Sequence, residues 1–436
     1  MKKIEFSKEI ELSGSYDVIV AGGGPSGCAA AAAAARRGAK TLLIEGSGAL
    51  GGMGTGGMVP TWCPFSDGEK VVYRGIALEV FEKSKQMVAH IPETALDWVA
   101  IEPESLKIVY DDLVTESGAE ALFNTMVLDV MTDGAGTVNM LIVGNKSGIT
   151  AFQAKCYIDC TGDADIAVWA GAEYTMGDCD GNLQSATLCF QLSNVNDYQY
   201  MLMKTLNGCN NPDSKVHDME KDDELPLIDC THMCASLIGP STLGFNSMHL
   251  DVDGTSPQSV SKGLILGRKK AQEVKKGLIK YYPEAFGGAY VSATAPLMGV
   301  RESRIIKGEY TLTISDYVQR RTFEDEICRN SYYLDVHSVC SDMEDFEAVH
   351  YQRGESHGIP YRCLVPKNVR NVIVAGRSIS CEHVVQGSIR VMPVCLAMGE
   401  AAGYAAAIAA RDNKAFKDID VKQVRRCLVE NGAYIM

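Results

Sequence analysis

The stretch from Tyr16 to Glu45 limits what this chain can fold into more than any other part of it. Tyr16-Asp17-Val18-Ile19-Val20-Ala21 is a short apolar run rich in β-branched residues, as in a strand buried on both faces. Gly22-Gly23-Gly24-Pro25-Ser26-Gly27 follows at once, and Cys28 leads into an unbroken alanine run, Ala29 to Ala35. Alanine is the strongest helix former, so a helix starts here. Arg36 and Arg37 stand where a helix C-terminus favours cations, and Gly38 supplies a left-handed cap. Thr41-Leu42-Leu43-Ile44 then reads as a second strand ending at Glu45. The segment is one complete β-α-β unit.

Its turn carries a dinucleotide fingerprint. Gly22 permits the tight bend, Gly24 lets backbone approach a pyrophosphate, and Gly27 lets helix lie close to strand. Pro25 and Ser26 open the helix, whose free N–H groups and positive dipole end suit phosphate. Glu45 falls 18 residues beyond Gly27 (45 − 27), where an acid accepts ribose hydroxyls. Its charge repels a 2′-phosphate, which favours FAD or NAD over NADP. The next twelve residues, 46–57, contain seven glycines. Gly46, Gly51, Gly52, Gly54 and Gly56, with Met53 and Thr55 among them, fit backbone held close to a bulky ligand. FAD is the bulkier candidate.

A chain of 436 residues is expected to form two or three domains. Its net charge of −14 and lack of a basic block argue against nucleic acid and anionic membrane surfaces as partners. No run of 18 uncharged apolar residues is present, so no membrane span is expected. The N-terminus alternates charge with hydrophobics where a signal peptide needs an apolar core. The fifteen cysteines are scattered with no C-x-x-C. That pattern suits free thiols in a reducing cytoplasm, and it gives no metal site and no redox disulfide.

Beyond the first unit, helical periodicity runs from Glu102 to Ser117, and strand-like runs follow at 121–123, 138–143 and 154–159. Residues 190–365 are more polar, with a charged loop at 215–224 and a helix from Val260 to Tyr281. Residues 371–376 read as a buried strand entering a glycine turn, and 393–410 as an alanine-rich helix opening on Pro393. The expected fold is α/β: a Rossmann-like FAD-binding domain in two parts, 1–190 and 366–436, with an inserted mixed α+β substrate domain over 191–365. Gly134-Ala135-Gly136 sits in a hairpin turn, so no second nucleotide module is expected. Walker A, H-E-x-x-H and G-x-S-x-G motifs are absent from the sequence.

YDVIVAGGGPSGCAAAAAAARRG…LLIEGSGALGGMGTGG resembles the FAD-binding start of the glutathione-reductase-type flavoproteins. Three further blocks, YIDCTGDADIAVWAGAEY (157–174), PLMGVRESRIIKGEYTLT (296–313) and IPYRCLVPKNVRNVIVAGRSISCEHVVQGSIRVMPVCLAMGEAAG (359–403), are similar to a bacterial FAD-dependent oxidoreductase family. The likeness runs from about residue 16 to 410. It implies that the Thr161-Gly162-Asp163 turn returns the chain to FAD, that Gly376-Arg377 passes beside the flavin, and that Val127 joins the cofactor-binding set. It also implies that the helix beginning at Met392-Pro393 points its positive end at the flavin pyrimidine edge. Residues 46–57 contain no histidine, so the FAD is expected to be non-covalent.

Candidate chemistry lies in three blocks. Arg301 and Arg304 flank Glu302, and Arg301 can clamp a substrate oxygen or carboxylate, or all three can form an ion-pair network. Asp335-Val336-His337 puts Asp335 and His337 on one face of an expected strand. His383 lies in Ser378-Ile379-Ser380-Cys381-Glu382-His383, beside the block expected to pass the flavin, and Arg390 just before the last long helix. Either histidine can act as a general base or serve a structural role. The leading expectation is hydride transfer from a CH–OH group, such as a sugar hydroxyl, to FAD. The alternative is reduction of an activated C=C bond, as in fumarate-reductase-like proteins. A third, of another class, is a thiazole-forming protein that binds NAD, against which the 46–57 loop argues. The expected partners are a small-molecule substrate and a separate electron acceptor or donor, with a homo-oligomer left open.

Overall fold

Strand β1 (Leu12–Ala21) buries Val18 to Ala21 completely, as its apolar end requires. Helix α1 (Pro25–Arg36) opens on a proline and buries every alanine from Ala29 to Ala34. Strand β2 (Thr41–Ile44) returns parallel to β1, pairing Val18 with Thr41 and Ala21 with Ile44. The β-α-β unit is therefore as its sequence requires. This computed structural model describes residues 4–5, 7–337 and 350–436.

Helices α2 (Ile76–Gln86) and α3 (Pro103–Glu116) lead to β3 (Glu120–Leu122), β4 (Met126–Thr132), β5 (Val138–Asn145) and β6 (Gly148–Asp159). The sheet runs β3-β2-β1-β6-β5-β4. Strand β6 is twelve residues long and serves two partners on one edge. Its start pairs antiparallel with β5, and its end, Tyr157 to Asp159, pairs parallel with Val372–Val374. Four adjacent strand ends, Ile44, Ala21, Asp159 and Val374, thus open onto the same edge of a parallel sheet. In such sheets ligands bind beyond the carboxyl ends of the strands.

The helix Met392–Asp412 lies against α1 at backbone distance. A Cβ on Gly399 would fall 2.1 Å from the Ser26 carbonyl oxygen, and one on Gly403 2.3 Å from that of Ala30. Both helices are alanine-rich because their backbones nearly touch, a reason beyond helix propensity. The C-terminal one is long and apolar enough to cross a membrane by composition. It is buried from Met392 to Ala410 and forms the core of the domain.

A second, antiparallel sheet orders its strands as Tyr290–Thr294, Phe190–Ser193, Thr242–Ser247 and Met233–Gly239. Its core joins Phe190, Phe245, Met233 and Phe286 to Val274 and Leu278 of the helix Pro257–Tyr281. Ile305, Leu312, Ile327 and Ile359, later in the chain, pack instead into the cluster built around α1. Asp335 to His337 form no strand, contrary to expectation: the backbone from 331 to 337 is irregular. The two side chains meet all the same.

Candidate active site

Three turns converge beyond the parallel strand ends. In the first, Gly22 has a φ of +92°, and a Cβ there would lie 2.3 Å from the Cys160 carbonyl. A Cβ on Gly27 would lie 1.8 Å from the Gly22 carbonyl. Both glycines are demanded by the chain's own packing. Gly24 is different, because a Cβ there would meet no protein atom within 4 Å. Glu45 holds the bend from behind, its two oxygens accepting the N–H groups of Gly23 and Ser47, each at 2.6 Å. The Thr125 N–H donates to the Glu45 carbonyl at 3.0 Å, which sets Val127, two residues on in β4, next to this edge. Gly46 lies against Met126 of the same strand.

The 46–57 loop then folds over the turn. Gly51 donates to the Gly23 carbonyl, Gly52 sits above Gly24, and Thr55 Oγ1 bonds the Leu50 carbonyl. Gly54 rests on Met392, Gly56 on Leu297, and Met53 under Gly57. In the other two turns, Arg377 lies over Gly162 and donates to Asp163 Oδ1 at 2.8 Å, while Ser303 holds the same oxygen at 2.5 Å. Arg377 Nε is buried with no hydrogen-bond partner. Gly376, at φ +110°, sits over Ser26. Val391, ahead of the Met392-Pro393 start, gives that helix no side-chain cap.

A second constellation lies between these turns and the antiparallel sheet. His337 Nε2 is 3.1 Å from Asp335 Oδ1, and His337 Nδ1 is 3.1 Å from His249 Nε2. An ionised carboxylate only accepts, so the His337 proton sits on Nε2 and Nδ1 accepts from His249. His232 completes a three-ring cluster, its centroid 5.2 Å from each of the other two. Burial pushes all three rings down to about 4, and the neighbouring Arg301 charge adds to the effect. Burial alone would raise the Asp335 carboxyl, but its bond to His337 and the Arg390 and Arg301 charges hold it well below the usual range. Among the described residues no three His, Cys, Asp or Glu groups are arranged to hold a metal ion.

Arg390 ties this cluster to the start of the helix Met392–Asp412. Its Nη2 donates to the Asp335 carbonyl at 2.6 Å and its Nη1 to Gln184 Oε1. Gln184 passes the network on through Gln386, which donates to the Arg301 carbonyl at 2.7 Å. Arg301 itself gives Nη1 to the Ser185 carbonyl. Burial and the nearby Arg390 charge lower its guanidinium to about 10. His383 stands apart, its Nδ1 2.6 Å from the fully buried Glu302, whose other oxygen accepts the Gln184 N–H. Arg304 pairs with Asp165 at 2.6 Å. The Arg301–Arg304 block therefore divides: Arg304 and Glu302 have structural partners, and Arg301 has no acid within ion-pair distance among the described residues.

His232 and His249 escape a sequence reading that looks for motifs. They flank the two strands of one hairpin, in which Met233 pairs with Ser247. The Gly239-Pro240-Ser241 turn signal, used to set a register, would have placed the two histidines side by side.

The sequence profile of the FAD dependent oxidoreductase family matches residues 17–428. The chain belongs to that family. Similar solved structures include a geranylgeranyl bacteriochlorophyll reductase-like protein from Thermoplasma acidophilum (15% identity, 98% of this chain and 85% of that one, TM-score 0.49). A flavin-dependent brominase (12%, 96% and 83%, 0.46) and an anhydrotetracycline hydroxylase from Streptomyces rimosus (14%, 96% and 66%, 0.40) are also similar. No curated protein matches the chain.

This FAD-dependent oxidoreductase has a turn set that fits its cofactor. Gly24 is open on the ligand side, Arg377 Nε is a buried donor without a partner, and the helix at Met392 presents uncapped N–H groups. Glu45→Arg is expected to weaken FAD binding at least tenfold. It removes the acceptor that holds the turn, and hydrogen bonds to a charged group are worth roughly 1.5–3 kcal/mol each. Titration of apoprotein with FAD checks this, and unchanged affinity would mean that Glu45 plays no part in holding the nucleotide.

The three depressed histidines also set an acid limit on stability. Unfolded rings titrate near 6.5 and the folded ones near 4. Between those values the unfolded state binds more protons, so stability is complete above about pH 6.5 and falls as pH drops toward 4. The slope is up to about 1.4 kcal/mol per pH unit for each ring. Denaturant titrations at pH 7 and 5 check it. The His232→Phe variant should show a shallower loss than the parent.

Proposed function

We propose that the chain oxidises the CH–OH group of a small polar substrate, a sugar or other hydroxy compound, and passes the electrons to a separate acceptor. The observation that carries this reading is the half-buried Asp335–His337–His249 relay, with His232 beside it. These rings are unprotonated at neutral pH, and oxidation of an alcohol needs a proton acceptor. Addition of hydride to an activated C=C bond needs a proton donor instead, which unprotonated rings supply poorly. When bound, FAD supplies the two-electron hydride acceptor.

The chain's own groups do the rest. The substrate hydroxyl gives its proton to a ring of the histidine cluster as the C–H and O–H bonds break and C=O forms. The resulting imidazolium is stabilised by Asp335, which stays ionised because Arg390 and Arg301 neutralise its surroundings. Arg390 fixes Asp335 through its carbonyl and the relay through Gln184. The β-α-β fingerprint, the 46–57 loop and the lack of a second nucleotide motif support a glutathione-reductase-type FAD unit without its own nicotinamide site. The buried thiols Cys28, Cys156, Cys160 and Cys395, none of them in a disulfide, support a cytoplasmic setting.

Anaerobic mixing with polyols, sugars and hydroxy acids should bleach the flavin absorbance with at least one class. The rate should stay level from pH 8 to 5 and fall only as pH nears about 4, because protonation there removes the acceptor. The reading fails if no hydroxy compound bleaches the flavin while an activated alkene reoxidises chemically reduced enzyme.

A further inference from the structure

We infer that the substrate carries a carboxylate, received by the Nε and Nη2 edge of Arg301. What then happens to the hydroxyl rests on the oxidation reading above, but the binding does not. Arg301 is half-buried and has no acidic partner within ion-pair distance among the described residues. Its Nη1 is spent on the Ser185 carbonyl at 2.5 Å, and its own carbonyl is pinned by Gln386 Nε2 at 2.7 Å. Nε and Nη2 make no hydrogen bond among the described residues, and their N–H groups lie along one edge of the planar guanidinium and point the same way. That side-on fork matches the two oxygens of a carboxylate.

The surrounding charge has the right sign. Among the described residues, Cys189, Cys234, His232, His249, His337, Asp335 and Arg390 exchange charge effects with the Arg301 guanidinium. At neutral pH, Arg301 and Arg390 contribute two positive charges, and Asp335 contributes one negative. The rings and thiols are uncharged. Arg390 is already ion-paired with Asp335, its Nη2 3.4 Å from Oδ2, and its terminal nitrogens also hold the Asp335 carbonyl and Gln184. The surplus cation is therefore Arg301. A partly desolvated cation left unpaired is unfavourable, and an entering anion removes that cost. A tetrahedral oxyanion such as phosphate has more oxygens to satisfy than this one fork offers, which is why a planar carboxylate is preferred.

The pairing is tested on purified holoenzyme with ligands that lack an oxidisable hydroxyl, so that binding is read apart from turnover. Malonate, succinate and benzoate would be titrated against the bound-flavin absorbance and by calorimetry, alongside their neutral amides, inorganic phosphate and sulfate. At least one carboxylate should bind about 10–100-fold more tightly than its amide, and more tightly than phosphate or sulfate. Arg301→Met should erase that preference, and Arg301→Lys, which restores charge without the fork, should recover only part of it. Flavin content should stay unchanged in both. The carboxylate-to-amide comparison on the unmodified protein stands even if a variant fails to fold. Equal binding of acid and amide, tighter binding of phosphate or sulfate, or no anion binding at all would overturn the assignment. Carboxylate binding without flavin bleaching by any hydroxy compound would uphold it while sinking the oxidation reading.

Discussion

Gly27→Ala is expected to yield a protein that holds no FAD and melts well below the parent, whereas Gly24→Ala should fold normally and bind FAD weakly. The two glycines belong to one fingerprint but answer to different constraints. A Cβ at residue 27 would sit 1.8 Å from the Gly22 carbonyl and 3.3 Å from Cys160 Cβ. Backbone has to move to admit it, and that backbone is the phosphate-facing turn itself. The roughly 1 kcal/mol of helix propensity gained by exchanging glycine for alanine does not offset such a clash. At residue 24 the same methyl meets no protein atom within 4 Å. It would intrude only on a ligand passing over the turn. Thermal melts followed by circular dichroism, with flavin content measured on the same samples, separate the two cases. A Gly24→Ala protein with parental FAD affinity would show that the cofactor does not cross that residue.

His337→Ala and His249→Ala should slow flavin reduction by about 10²–10⁴-fold at saturating substrate while leaving FAD bound. Each change cuts the relay, one at the ring that touches Asp335 and one at the ring that donates to it. His383→Gln should behave differently. His383 is the partner of buried Glu302, and its loss leaves that carboxylate with the Gln184 N–H. The expected cost is stability, about 1–3 kcal/mol, with reduction within tenfold of the parent. Stopped-flow reduction of each variant by whichever hydroxy compound bleaches the flavin decides the matter. If both relay variants reduce within tenfold of the parent, the proton goes elsewhere. A pH profile adds a second readout, since a purely structural role would not shift the acid limb of the surviving rate.

The β-α-β unit, the fingerprint glycines and the two alanine-rich helices were legible from sequence because local sterics and short-range periodicity impose them. Gly22 and Gly376 sit at positive φ in turns that directly follow apolar strands, and a buried strand announces itself by its unbroken apolar run. The family match from 17 to 428 agrees with that reading. Other features depended on which distant segments came together. Strand β6 divides its edge between β5 and Val372–Val374, a pairing more than 200 residues apart that no local pattern marks. Asp335 and His337 meet without the strand expected to align them, because Arg390 holds the Asp335 carbonyl and carboxylate and His249 holds the His337 ring. The sequence alone weighted His337 and His383 equally. Tertiary structure set His337 among two further rings and gave His383 to Glu302. The physical reason is common to all these cases. A side chain's chemistry is set by burial, neighbouring charge and hydrogen-bond partners, and those come from packing between elements that the local sequence does not specify.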